Sequence, residues 1–302
     1  MHVIDVDPDL LRQHAAAATH AAEQAAVHMA GEIACLDESG VPKLLETLTP
    51  RGPWAWAILP EVSAEGAVEI PIATTLEEIA ACYRVTRNRS NVLGFEPLVE
   101  LRGTWYTFQE GLSRSFTPAT GRVGEHETIA LFPVTTDTGI TGELAWWRMP
   151  PESLGAKTSG GDVAARSSLQ VRRDALALHD RFVEALRGAD VDDTVAVFHD
   201  GARSAVRDLL ADSGTLVGID GHDGHRDFYR TLFERYEIAS VELLSRVVQD
   251  WYLFAELRFT VVPRTGPLAG QRQAFHTAEF CIPAADGRFI SRIGHATDLR
   301  AV

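Results

Sequence analysis

Apolar positions recur with a helical period and then with a strand period along the second half of the chain. A long helix is predicted over 169–187, where Leu176, Phe182, Val183 and Leu186 share a face. Shorter helices are predicted over 190–198, with Asp190 as N-cap, and over 224–236. Strand-like runs follow at 241–248, 251–262, 273–282 and 289–296, the last pair separated by a turn signal at 285–287. Helices followed by an antiparallel sheet predict an α+β domain.

The first half shows the same order of elements and shares sequence features with the second. Its opening helix is predicted over 9–34, from a stripe that includes Ala18, Ala22, Ala25, Met29 and Ile33. Four paired features recur in the same order at nearly constant offsets: Leu45 with Val195, Tyr83 with Tyr229, Trp105 with Trp251, and His126 with His276, each of these histidines preceding a proline by seven residues. The sequence therefore predicts an internal duplication.

The boundary between the copies is predicted from composition. Residues 151–168 lack hydrophobic periodicity and contain several Pro, Gly and Ser residues, which is typical of a linker. The predicted organisation is one domain in residues 1–150, a linker in 151–168 and a second domain in 169–302.

Charge and cysteine usage exclude several classes of protein. The net charge of −14 argues against nucleic-acid binding, and no apolar run reaches the length of a membrane span. The three cysteines lie in apolar stretches without zinc spacing, and the N-terminal residues are acidic where a signal peptide is basic. These features predict a cytoplasmic protein, and the Arg- and Ala-rich composition indicates a bacterial source.

Four segments of the second half resemble one known family. They are Arg181–Asp190, Val195–Phe198, Gly224–Tyr229 and Asp286–Arg292. Together they resemble the ketosteroid-isomerase-like, or nuclear transport factor 2-like, family, which includes the SnoaL-like polyketide cyclases. The resemblance spans about residues 172–300. It implies a cone-shaped domain of three helices over a curved, mainly antiparallel sheet that encloses a hydrophobic pocket. The first half is assigned to the same fold, in divergent form, through its match to the second.

The resemblance also implies which positions face the pocket. Isomerases of this family use a carboxylate base, with a tyrosine and a protonated acid as oxyanion donors. In this chain the tyrosine position falls on Phe182, the base position falls near Val206, and the oxyanion acid position falls on Ala278. Steroid isomerisation by the familiar residues is therefore not expected.

Candidate catalytic residues follow from strand alternation. If Ala278 faces the pocket, His276 shares its face and is a candidate general acid or base. The alternative for His276 is a core histidine that is hydrogen-bonded to a neighbour. On the last strand, Arg292 could hold an oxyanion, while Asp298 could orient His276 or act as a base. Arg292 and Asp298 could instead form an ion pair at the rim of the sheet.

Aromatic and histidine side chains supply the candidate substrate-binding residues. They are Tyr229, Trp251 and Phe182 in the second half and His126, Tyr83 and Trp105 in the first, with a purely structural role as the alternative. His222 and His225 lie among aspartates, but their segment falls at the turn into the third helix, where Asp223 is more simply a cap. No metal or other cofactor is expected.

Two functions from different classes remain open. The first is a cofactor-independent isomerase, cyclase, dehydratase or epoxide hydrolase that acts on a polyketide-, terpenoid- or steroid-like molecule. The second is a non-catalytic ligand-binding or scaffold protein, in which the first half serves as a built-in partner. In both, the two halves are expected to form an intramolecular pseudo-dimer, with further homo-oligomers left open.

Overall fold

The computed structural model describes residues 7–58, 60–63, 66–149, 154–155, 167–211 and 214–302. Through residue 147 the elements are α1 (Pro8–Ala34), a 3₁₀ turn (Glu38–Gly40), α2 (Val41–Leu45), β1 (Ala55–Ala57), β2 (Glu61–Val62), β3 (Val68–Glu69), α3 (Leu76–Arg89), β4 (Asn91–Arg102), β5 (Tyr106–Thr117), β6 (Arg122–Pro133) and β7 (Gly142–Trp147). From residue 168 they are α4 (Ser168–Gly188), α5 (Val191–Ala196), β8 (Phe198–Arg207), β9 (Leu216–Asp220), α6 (Gly221–Arg235), β10 (Tyr236–Val248), β11 (Leu253–Pro263), β12 (Gln273–Pro283), β13 (Phe289–Ala296) and β14 (Arg300–Ala301).

The chain divides into two compact units, each with helices and its own sheet. Unit 1 comprises the described residues within 1–56 and 73–147, and unit 2 comprises those within 57–72 and 148–302. The protein is thus an α+β fold with two sheet-rich halves, as the sequence predicts. The pairing of β2 with β3 belongs to unit 2 although it lies within the predicted first domain. The local hydrophobic pattern does not indicate that residues 57–72 belong to unit 2, because only tertiary packing defines that assignment.

Unit 1 has a five-stranded sheet in the order β1-β7-β6-β5-β4. Helix α3 begins at a capping box, in which Thr75 and Glu78 bind each other's backbone N–H groups. Helix α1 contacts β4 and β5, and its buried residues are Ala21, Ala25, His28 and Glu32. The sequence predicts a wholly apolar stripe on this helix, so the burial of His28 and Glu32 corrects that expectation.

Unit 2 has a seven-stranded sheet in the order β10-β11-β12-β13-β8-β9, with β14 paired to β12. Neighbouring strands are antiparallel except β13 and β8, which are parallel. The helices α4 and α6 cover this sheet, and their buried side chains form its core together with apolar residues of β8 and β11–β13. Strands β8 and β9 are absent from the sequence prediction, because polar and glycine residues interrupt their apolar pattern.

Of the two predicted helix N-caps in unit 2, Asp190 is confirmed and Asp223 is wrong. Asp190 caps α5 as expected and accepts a hydrogen bond from the Asp193 backbone. Helix α6 begins at Gly221, three residues earlier than predicted, where the backbone has a φ of 63°. Asp223 therefore lies inside the first turn of α6 rather than at its cap.

The paired sequence features lie in corresponding elements of the two units. Tyr83 is in α3 and Tyr229 is in α6, the last helix of each unit. His126 and His276 lie on β6 and β12, strands that end at Pro133 and Pro283. These correspondences fit two domains of one fold. No helix in the described part of the chain combines the length and apolarity that a bilayer crossing requires.

Candidate functional site

A narrow cavity lies between the helices of unit 2 and the face of its sheet. Its volume is about 20 Å³, which is enough for one water molecule. Most of its walls are apolar, and its polar lining comes from Arg207, Tyr229, Thr277, Glu279, Arg292 and His295. A largely apolar cavity with a few convergent polar groups is the usual form of a small-molecule site.

Three of those polar side chains form one hydrogen-bonded group. Arg292 on β13 donates from Nη2 to Oε2 of Glu279 on β12 at 2.6 Å, and from Nη1 to the Tyr229 hydroxyl at 2.6 Å. The Arg292 guanidinium also lies 5.3 Å from the centre of the Phe182 ring. Glu279 and Tyr229 are each 1% exposed, so the group is shielded from solvent. Fixed, desolvated charges of this kind interact strongly with whatever enters the cavity.

Three groups in this cluster still have hydrogen-bonding capacity. Oε1 of Glu279 is buried and has no hydrogen-bond partner among the described residues. The Tyr229 hydroxyl accepts from Arg292, and its own proton has no acceptor in the described part of the chain. Nε of Arg292 is likewise buried without a hydrogen-bond partner among the described residues, so the site offers one acceptor and two donors.

Gly294 allows the Glu279 side chain to occupy its position. Gly294 lies directly opposite Glu279 in the β12–β13 pairing. A Cβ atom at this position would lie 2.5 Å from the Glu279 Cβ and 2.9 Å from the Ala278 carbonyl oxygen. The absence of a side chain on β13 thus gives the carboxylate room next to the cavity.

Burial and charge determine the protonation of the cluster. Burial opposes the charge of Arg292, but Glu279 and Tyr229 outweigh it and raise the arginine pKa, so the guanidinium stays charged. Burial raises the pKa of Tyr229 above its ordinary value, which keeps the phenol protonated and able to donate. Burial also raises the pKa of Cys281 well above its ordinary value, so this thiol is a poor nucleophile at neutral pH.

A wider outer pocket adjoins the cavity. Its volume is about 320 Å³, and it shares Arg207 and Leu209 with the inner cavity. Arg207 donates to the Ala296 carbonyl at 2.6 Å and forms an ion pair with Asp298, which also lines this outer pocket. Arg207, paired with Asp298, therefore lies where the inner cavity and the outer pocket meet.

Comparison with known proteins finds a family match within unit 2. The family model of the SnoaL-like domain matches residues 179–291, which include α5, α6, part of α4 and Glu279. Residues 179–291 form a SnoaL-like domain. None of the curated proteins compared with the chain matches it.

Solved structures similar to the chain include two described as epoxide hydrolases. One is the epoxide hydrolase/cyclase-like enzyme SalBIII of pyran ring formation in the polyether salinomycin, 13% identical, with 43% of this chain and 97% of that one covered and a TM-score of 0.36. The other is an LEH-like epoxide hydrolase of M. tuberculosis, 17% identical, with 42% of this chain and 84% of that one covered and a TM-score of 0.33.

The SnoaL-like domain places His276 away from the cavity, which corrects the predicted strand phase. Thr277 and Glu279 line the cavity, and His276 alternates with them onto the opposite face of β12. There, His276 Nδ1 lies 3.3 Å from Oε1 of Glu256 on β11, and the histidine side chain is 34% exposed. Glu279 is not among the predicted site residues, because the predicted alternation places Ala278, one residue away, on the cavity face.

The other predicted residues of unit 2 lie in different surroundings. Arg292 and Tyr229 line the cavity, and Val206, near which the resemblance places the base of the family, lies in the same wall. Phe182 is fully buried behind Arg292, whereas Trp251 is buried against Tyr252 and is not part of the cavity lining. Asp298 pairs with Arg207 rather than Arg292, so the predicted Arg292–Asp298 rim pair is wrong.

The predicted residues of unit 1 are dispersed. Tyr83 is fully buried and hydrogen-bonded to Glu143, His28 and Trp56. His126 lies opposite Ser113 in the β5–β6 pairing, and burial lowers its pKa below the ordinary value. Trp105 is buried against Tyr106, 5.1 Å between ring centres. Only Tyr83 belongs to a polar cluster.

His222 and His225 form hydrogen bonds in different directions. His225 Nδ1 lies 2.6 Å from the Gly221 carbonyl oxygen and Nε2 lies 2.8 Å from Ser204 Oγ, whereas His222 Nε2 lies 2.7 Å from the Phe198 carbonyl oxygen. Both ring nitrogens of His225 are thus engaged, with Nδ1 donating to the carbonyl. The neutral ring is buried as a structural element of the helix.

We expect the SnoaL-like domain to lose stability as the pH falls from 6.5 towards 4. Burial lowers the pKa of His225 to about 4, against an unfolded value of about 6.5, so the unfolded chain takes up the proton first. The full stability is present above pH 6.5, and His225 alone should cost about 2–3 kcal/mol by pH 4.5. Urea denaturation at pH 7.5 and pH 4.5 measures this difference.

Two variants separate the contribution of His225 from that of other groups that titrate between the two pH values. His225→Asn should reduce the difference between the two pH values, even though the variant is less stable at both. His14→Asn, at an exposed position on α1, should leave it as in the wild type. An unchanged difference in His225→Asn would show that acid sensitivity arises elsewhere.

Proposed function

We propose that unit 2 binds a small, largely apolar molecule and acts on it by cofactor-independent acid–base chemistry. The observation that supports this is the state of Glu279 at the cavity wall. One carboxylate oxygen is held by Arg292 at 2.6 Å, and the other is buried without a hydrogen-bond partner among the described residues. A desolvated, oriented carboxylate with one open oxygen is suited to accept a proton from a bound molecule.

The three side chains have complementary roles in this proposal. Glu279 takes a proton from a carbon next to a carbonyl, or from a water molecule that opens an epoxide. The Tyr229 hydroxyl donates to the oxygen on which negative charge develops. Arg292 orients both and stabilises the anionic intermediate through its fixed charge. The proton on Glu279 then returns to the product, which leaves the protein unchanged.

The walls of the cavity indicate the substrate class. Apolar side chains of α6, β11 and β12, among them Phe228, Leu232, Phe259 and Phe275, surround the polar group. A polyketide-, terpenoid- or steroid-like molecule with one carbonyl or epoxide oxygen matches this lining. Its apolar body would occupy the outer pocket, whose 320 Å³ falls within the range of about 300–1,000 Å³ for ligand sites.

The volume of the inner cavity favours a second function. At about 20 Å³ it admits one water molecule, so a substrate reaches Glu279 only if the walls separate. A domain that holds an apolar molecule in the outer pocket without turnover fits this volume. The alternative function is therefore non-catalytic ligand binding, with the remainder of the chain as a scaffold.

Glu279→Gln is expected to separate the two functions. The probes are a β,γ-unsaturated ketosteroid for isomerisation and a terpene epoxide for ring opening. If the domain is an enzyme, the wild type converts at least one probe, and Glu279→Gln lowers kcat by about 100-fold or more because the amide cannot accept the proton. The dissociation constant of the probe should change by less than about threefold, since the shape of the side chain is retained.

Controls distinguish Glu279 from other carboxylates and from His276. Glu237→Gln alters an exposed carboxylate of the same sheet and should retain wild-type kcat. Loss of turnover in His276→Ala with full turnover in Glu279→Gln would assign the chemistry to the histidine instead. Binding of both probes without conversion by the wild type would establish the non-catalytic function, and failure to bind either probe would reject both.

A further inference from the structure

A second polar cluster is buried in unit 1, outside the SnoaL-like domain. Helix α1 supplies His28 and Glu32, helix α3 supplies Tyr83 and Arg87, and β7 supplies Glu143. Each helix contributes residues four positions apart, which places both on one helical face. All five side chains are at least nine-tenths buried. Such a concentration of polar groups in a core requires compensation for the lost solvation.

Hydrogen bonding fixes the tautomer of His28. Thr47 Oγ1 donates to the Leu44 carbonyl at 2.7 Å, so it accepts from His28 Nδ1–H at 2.6 Å. The lone pair of the neutral ring is therefore on Nε2, which faces Glu143 Oε2 at 3.4 Å and the Tyr83 oxygen at 3.0 Å. Metal-binding histidines are oriented in this way, by a hydrogen bond from the ring nitrogen that does not bind the ion.

The donors in the cluster leave that lone pair unsatisfied. Tyr83 donates to Glu143 Oε2 at 2.6 Å, and Trp56 Nε1 donates to the Tyr83 oxygen at 2.9 Å. Once the phenol proton is committed to Glu143, no described side chain donates to His28 Nε2. His28 Nε2 and Glu143 Oε2 thus need a cation between them, either a proton or a metal ion that displaces that proton.

The formal charges of the two glutamates and Arg87 do not balance. Glu32 and Glu143 contribute two negative charges, and Arg87, which donates to Glu32 Oε1 at 3.0 Å, contributes one positive charge. These three side chains therefore hold one negative charge in excess, and a cation must supply the balance, either a proton on His28 Nε2 or a metal ion that displaces it.

The geometry points to a divalent metal site of the zinc class, formed by His28 Nε2 and the carboxylates of Glu32 and Glu143. The three ligand atoms lie within 4.8 Å of one another. Tetrahedral zinc at about 2.0–2.1 Å from nitrogen and oxygen ligands places those ligands about 3.3 Å apart, close to the 3.4 Å between His28 and Glu143. Tyr83 and Trp56 orient Glu143 through their hydrogen bonds, and Arg87 orients Glu32.

Zinc content of the full chain tests the proposal. Protein stripped with a chelator, reloaded with zinc and desalted is expected to hold about one zinc per chain by elemental mass spectrometry. Cobalt loading should give the visible absorption bands of a low-symmetry site. Reloading should also raise the melting temperature, because the ion binds only the folded unit.

Variants define the ligand set independently of any activity. His28→Asn and Glu143→Gln should each reduce retained zinc to about a tenth or less, whereas His14→Asn, on the same helix, should retain it. Tyr83→Phe removes no ligand, so it should still bind zinc if the site is real. A wild-type chain that retains less than about 0.1 zinc after loading overturns the proposal, as does full retention in both ligand variants. Neither result bears on turnover by unit 2.

Discussion

Arg292→Met is expected to lower the free energy of unfolding by about 3–5 kcal/mol. The substitution retains the apolar volume next to Phe182, but it leaves the Glu279 carboxylate buried without a counter-charge and Tyr229 without its donor. An unpaired buried charge costs far more than the pair contributes, because solvation is lost on folding and no longer replaced. Urea denaturation of the purified chain at neutral pH measures the effect.

Comparison with Arg288 tests whether the burial of Arg292 causes the expected loss of stability. Arg288 forms ion pairs with Asp286 and Asp200, but its side chain is 34% exposed, so Arg288→Met should cost about 1 kcal/mol or less. Adding Glu279→Gln to Arg292→Met should restore much of the loss, since the neutral amide needs no counter-charge. Equal losses at Arg292 and Arg288, or no recovery in the double variant, would contradict this account of the cluster.

Phe182→Ala is expected to destabilise unit 2 by about 3–5 kcal/mol. Phe182 is fully buried, and its ring contacts Phe198 and Tyr229 in edge-to-face geometry at 5.8 and 6.2 Å between centres. Truncation leaves a void and removes the aromatic surface beneath the Arg292 guanidinium. The melting temperature and urea midpoint of the variant report the change.

A control for Phe182→Ala is available at an exposed position of the same helix. Leu169 lies on α4 with 59% of its surface exposed, so Leu169→Ala should change stability by no more than about 0.5 kcal/mol. A loss at Phe182 no greater than that at Leu169 would mean that the helix does not pack on the sheet as described. Apolar probes that bind Phe182→Ala more tightly than the wild type would indicate that the void extends the inner cavity.

The failure to find Glu279 from the sequence has a specific physical origin. The sequence shows that alternate residues of β12 face opposite sides of the sheet, but it does not show which set faces the cavity. The prediction placed Arg292 and Gly294 in the cavity and, on β12, Ala278. In the hairpin, Cys281 pairs with Arg292 and Glu279 pairs with Gly294, and directly opposed residues share a face. The β12–β13 register would therefore have identified Glu279 as the neighbour of Arg292.

The buried cluster of unit 1 was missed for a related reason. A helical stripe of alanines predicts the buried face of α1, yet the structure rotates that face towards His28 and Glu32. Burial of these side chains is acceptable only because Arg87, Thr47 and Tyr83 approach them from elsewhere in unit 1. Such partners are separated by up to 55 residues in sequence, and no local pattern indicates that they meet.

The sequence by itself determined the α+β class, the two sheet-rich halves and the SnoaL-like character of the second half. Those features depend on hydrophobic period, turn residues and short family segments, which are local properties of the chain. Only the tertiary structure decided that Glu279 rather than His276 faces the cavity, and that His28, Glu32 and Glu143 converge. Strand register and helix rotation set those contacts, and both are fixed by packing between distant segments rather than by the residues alone.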